Sequence, residues 1–134
     1  MADDDANDPP WCRASFSIFG PELIPDDISR MLGLVPDHTH LKGDYPANNP
    51  GHAPYPHGMW LLKSRLQRYE SLETHLEALL TVLIRRQSEI QKLSEVYTVR
   101  FSCSLHNTIG FELPPSILGQ IASLSAKFGV SVYA

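Results

Sequence analysis

Tyr97 to Leu105 alternates without a break. Tyr97, Val99, Phe101, Cys103 and Leu105 are apolar, and Thr98, Arg100, Ser102 and Ser104 between them are polar. Successive strand residues point to opposite faces, so a period of two predicts a strand with one buried face and one polar face. Cys12 to Phe19 repeats the pattern, with Cys12, Ala14, Phe16 and Ile18 in one phase and Arg13, Ser15, Ser17 and Phe19 in the other. Two such strands require a sheet with one polar face. All helices must then lie on the opposite face, which predicts an α+β two-layer sandwich.

The remaining elements follow from punctuation and spacing. Gly58 to Ser64 reads as a strand apolar in both phases, Met59 and Leu61 against Trp60 and Leu62. Such a strand lies inside a sheet and is covered on both sides. A short helix opens at Pro25 with Asp26 and Asp27 in its first turn, and Gly33 is placed to end it. Ser71 is an N-cap for the main core helix, whose stripe is Leu72, Leu76, Leu79, Leu80 and Leu83. Arg85 to Ser88 interrupts that stripe before a second short helix carrying Ile90 and Leu93. A turn at His106 to Thr108 predicts a return strand over 109–113. Pro114 and Pro115 open a last helix with Ile117, Ile121, Leu124 and Phe128 inward, capped by Gly129. Val130 to Tyr133 then forms a final strand with Val130 and Val132 inward. The expected architecture is a mixed five-stranded sheet with helices on one face, ferredoxin-like from residue 58 onward.

Residues 35–57 break with this order. Five prolines, two glycines and four histidines fill the segment, and it carries neither helical nor strand period. Loops of this length are uncommon in compact domains and are often functional. Residues 1–10 read as a disordered acidic lead-in without the apolar run of a signal peptide. Residues 11–134 are expected to form one domain. The formal net charge of −4 comes from four aspartates in that lead-in, leaving acids and bases equal in number elsewhere. Attraction to nucleic acid or to an anionic membrane is therefore not expected, and no apolar run approaches a membrane span. Cys12 and Cys103 fall in the apolar phase of their strands and are expected as buried free thiols.

Several features together resemble a family of small bacterial proteins known as domain of unknown function 4279. They are Leu32-Gly33-Leu34-x-Pro36, Lys42-Gly43-Asp44, Gly58-x-Trp60 with its strand, the leucine-rich helix, and a last helix running into a strand that ends at Tyr133. The resemblance spans about residues 12–134 and implies a bacterial, cytoplasmic, stand-alone domain. It implies no catalytic residues.

Catalytic patterns are sparse. There is no nucleophile elbow, no dinucleotide fingerprint and no phosphate loop. His38, His40, His52 and His57 are candidate metal ligands, but their spacing matches no established signature, and no metal or other cofactor is expected. The polar sheet face is the better candidate. By phase it carries Arg13, Arg100 and Tyr133, and it includes Trp60 if the pairing places it there. Arginine, tryptophan and tyrosine are the types enriched at the energetic centres of interfaces. Lys42 and Asp44 join them as candidates from the loop, although turn chemistry alone accounts for both. The sequence thus predicts a non-enzymatic binding module that engages a protein partner or a second copy through this face and the loop. A metal-assisted hydrolase built on the loop histidines is the alternative.

Overall fold

The computed structural model describes residues 8–108 and 110–133. Residues 1–7 of the acidic lead-in lie outside the described residues. The chain runs β1 (Trp11–Gly20), α1 (Pro25–Leu32), β2 (His38–His40), β3 (Gly58–Lys63), α2 (Leu72–Leu83), α3 (Gln87–Ser94), β4 (Thr98–His106), α4 (Pro115–Ser123) and β5 (Lys127–Tyr133). The strands form one mixed sheet in the order β2-β3-β1-β4-β5. β1 is central and antiparallel to both β3 and β4, whereas β4 and β5 are parallel.

The helices take their expected places. Gly33 ends α1 in the left-handed region at φ 67°, where a side chain would cost energy. Ser71 Oγ accepts from the Thr74 amide and caps α2. A 3-10 turn at Ile84–Arg86 separates α2 from α3. Leu76, Leu79, Leu80 and Leu83 of α2 pack with Ile90, Ile121 and Leu124 over Phe16, Val99 and Phe101 of the sheet, in one apolar cluster. Phe16 sits edge-on to Phe101 at 5.1 Å. The result is a two-layer α+β sandwich with the core between helices and sheet.

Four expectations are corrected. Trp60 and Leu62 lie on the helix side, because the antiparallel register sets Trp60 opposite Ile18 and Leu62 opposite Phe16. Trp60 is fully buried, so it is a core residue and not a binding residue. α4 stops at Ser123, and Ser125 turns the chain through φ 57°. Phe128 and Gly129 therefore belong to β5 and not to a helix. Val132 is 66% exposed and faces solvent. Lastly, residues 110–114 carry no strand. Ile109, the first residue of the expected return strand, lies outside the described residues, and among the described residues no strand stands between β4 and α4, so they do not form the hairpin of a ferredoxin-like unit.

The loop holds more order than its composition suggested. His38–His40 is a short edge strand, with His38 opposite Leu61 and His40 opposite Met59. Asp37 fastens its start, accepting from the Lys63 amide at 2.7 Å and from Arg65 Nε at 2.9 Å.

Candidate functional site

The face of the sheet away from the helices is crossed by rows of residues, one at every second register position. Trp11, His106 and Tyr133 form the first row, and Arg13, Ser104 and Ser131 the second. Lys63, Ser15, Ser102 and Gly129 form the third. His38, Leu61, Ser17, Arg100 and Lys127 make the fourth, and His40, Met59, Phe19 and Thr98 the fifth.

The two ends of this face are aromatic, and its second and third rows are mostly serine and glycine between Arg13 and Lys63. In the first row the rings stack flat: Trp11 on His106 at 3.6 Å and His106 on Tyr133 at 4.7 Å. The guanidinium groups of Arg13 and Arg68 lie over the Trp11 ring at 5.1 and 4.9 Å, a cation–π arrangement that orients both without an acid. At the far end His57 packs on Phe19 at 5.0 Å, and His40 stacks on Tyr55 at 3.5 Å. Between these ends lie the serines. Their short side chains leave a recess of about 660 Å³ over the second and third rows, walled by Lys63, Leu66, Arg68 and Tyr133.

One wall of the recess contains a hydrogen-bonded pair that the sequence did not single out. Ser64 Oγ lies 2.6 Å from His75 Nδ1. Burial lowers the pKa of His75, an effect opposed by the Gln67 carbonyl and by Glu70, so the imidazole is biased towards its neutral form.

The candidate residues separate into three places. Arg13, Arg100 and Tyr133 are exposed on the open face as expected. Arg100 lies over the Phe19 ring at 5.6 Å, and not beside Trp60. Lys42 and Asp44 sit off the sheet in a turn. Asp44 Oδ2 accepts from the Leu41 amide, Gly43 has φ 92°, and the Gly43 and Tyr55 amides close the turn on opposite carbonyls. Lys42 makes an exposed ion pair with Glu22 at 3.5 Å. Both are explained by turn chemistry.

Three of the four histidines come together. His38 Nε2 and His40 Nδ1 are 3.1 Å apart, and the His40 and His57 rings stack at 6.1 Å. His52 is exposed, and its amide closes a separate turn on Asn49. Burial lowers the pKa of His40, helped by His38 and His57 and opposed by Asp44. Among the described residues, no group of three or more His, Cys, Asp or Glu is arranged to hold a metal ion. Cys12 and Cys103 are free and buried, and burial together with Cys12 pushes the Cys103 thiol up to about 12. A thiol held protonated is a poor nucleophile.

Trp11 and His106 escaped the sequence reading although their signal was present. Each extends the polar phase of its strand by one position, Trp11 before Arg13 and His106 after Ser104. Lys63, Arg68 and Ser64 carried no comparable signal, because only the sheet register and the course of residues 64–70 bring them to the recess.

No helix among the described residues is long and apolar enough to cross a membrane. No curated protein and no solved structure matches the chain. A family model described as domain of unknown function, DUF4279, matches residues 10–134. That match covers nearly the whole chain together with its recessed sheet face, and the chain belongs to the DUF4279 family.

Proposed function

We propose that this protein is a non-enzymatic binding module that engages a partner, or a second copy of itself, through the open face of its sheet and the adjoining loop 35–57. The observation that carries this reading is the asymmetry of the sheet. One face is sealed by helices, while the other presents Arg13, Arg100 and Tyr133 to solvent around a recess. Exposed arginine and tyrosine beside stacked rings have the composition of recognition surfaces. A reducing compartment such as the cytoplasm suits this reading, supported by two buried free thiols.

Arg100→Ala and Tyr133→Ala test it. Both side chains are exposed, so each replacement is expected to shift stability by less than about 1 kcal/mol, including loss of the Arg100–Phe19 contact. Sedimentation and affinity capture on the same samples should show weakened association. Unchanged stability with unchanged association in both variants would make the face ordinary solvent surface.

A further inference from the structure

We infer that the recess on the open face binds the oxyanion group, phosphate or carboxylate, of a small molecule. The inference rests on the reading of that face as a binding surface and adds the chemistry of what fills it.

Arg13, Lys63, Arg65 and Arg68 all line the recess, and none of its lining residues is an Asp or Glu. Arg65 is held by Asp37 at 2.9 Å. Arg13 and Lys63 have no ion pair among the described residues. Arg13, Lys63 and Arg68, three cations without a paired carboxylate among the described residues, concentrate positive potential in a concavity, although the chain as a whole carries a net charge of −4. The positive sign is therefore a property of this place and not of the chain.

The hydroxyls of Ser15, Ser102, Ser104 and Ser131 make no side-chain hydrogen bond among the described residues. They stand in adjacent rows of the open face on the three neighbouring strands β1, β4 and β5. Together with two guanidinium groups and an ammonium they supply donors from several directions, which is what a phosphate or carboxylate requires. Arg13 and Arg68 are already oriented by the Trp11 ring, which lowers the ordering cost of using them.

At about 660 Å³ the recess falls within the range of small-molecule sites. Leu61, Leu66 and Tyr133 add apolar lining beside the donors, so the ligand carries a non-polar body as well as its anionic group.

The test is a titration of isotope-labelled protein followed by amide shifts, at constant ionic strength. Inorganic phosphate, pyrophosphate and citrate are the probes, so that phosphate and carboxylate recognition are separated. Saturable shifts at Ser15, Lys63, Ser102 and Ser104 are expected with at least one probe. The double variant Arg13→Gln/Lys63→Gln should weaken binding about tenfold or more, as expected for losing two charge-assisted contacts. Arg85→Gln/Lys92→Gln removes the same charge from the exposed surface of the helical layer, outside the recess, and should leave affinity within about twofold, since exposed charges at that range are largely screened. Ser104→Asp, which keeps both cations and adds a carboxylate, should abolish binding. No saturable shift at millimolar probe, or equal loss in both double variants, overturns the inference. Association lost on Arg100→Ala without any oxyanion shift would remove this inference and leave the binding-module reading standing. Oxyanion shifts with association unaltered by Arg100→Ala and Tyr133→Ala would uphold it and retire the macromolecular partner.

Discussion

The indole Nε1 of Trp60 donates to Ser29 Oγ at 3.0 Å, joining the middle of β3 to α1. A buried indole N–H needs an acceptor, and the half-buried Ser29 hydroxyl supplies it from the first helix. The same ring sits edge-on to Phe16 of the central strand at 6.4 Å. Trp60 is therefore the point where helix, inner strand and central strand meet.

Trp60→Phe should cost about 1–3 kcal/mol, combining a lost hydrogen bond with partial loss of buried volume. Ser29→Ala leaves the indole N–H buried without its acceptor and should cost about 1 kcal/mol or more. Urea denaturation of both variants checks this. Unchanged midpoints would mean that Trp60 packs without depending on α1.

Gly58 opens β3 opposite Gly20, and a Cβ there would fall onto the Leu23 carbonyl oxygen. Backbone cannot swing aside as a flexible side chain does. Gly58→Ala is expected to destabilise by about 1–3 kcal/mol, the range for forcing atoms into a packed position. Gly119 in α4 has open space where an alanine methyl would stand, with nothing within 4 Å, so Gly119→Ala should be neutral or stabilising by up to about 1 kcal/mol. Thermal melts of the two variants side by side provide the comparison.

His40 and His75 both have pKa values held below the ordinary 6.5 by burial. In the unfolded chain they return to that value, so below about pH 6.5 the unfolded state binds more protons and stability decreases as the pH is lowered. Their contribution is fully present above pH 6.5 and is lost as pH drops through the folded-state values. Melting temperature should decline on acidification from pH 7 to 5, and His75→Gln should flatten that decline. A wild-type curve that is level across this interval would show both imidazoles free to protonate in place.

Cys103 and Cys12 should be silent towards a disulfide-exchange reagent at pH 8 in the folded protein. Cys103 is raised to about 12 and Cys12 is also raised, both chiefly by burial, so neither supplies much thiolate. Both should react once denaturant is added. Fast labelling of one thiol without denaturant would place it in an opened segment.

What could be read from sequence follows from which residues carried a phase. β1 and β4 alternate strictly, so their inward and outward faces came out correctly, and with them the open position of Arg13 and Arg100. β3 is apolar in both phases, and nothing in it says which side Trp60 takes. Only the pairing of Trp60 with Ile18 settles that. The end of α4 was misplaced because Phe128 continues the spacing of Ile117, Ile121 and Leu124 by coincidence, while the turn at Ser125 has no glycine to mark it. β2 was invisible because His-Thr-His has no apolar alternation, and a three-residue edge strand is held by backbone pairing. The recess depends on register across β3, β1, β4 and β5 at once, and its floor is made of serines, which attract no notice in a linear reading.

The central position of β1 has a kinetic consequence. This strand is the earliest of the five in the chain, yet it pairs on one side with β3 and on the other with β4, so that Trp11 waits for His106. Contacts so distant in sequence must close a long loop before they reward the chain, which slows folding relative to helical domains of similar size. During synthesis the apolar side of β1 is made first and covered late. The nascent chain therefore passes through a stage at which its most buried strand is its most exposed one.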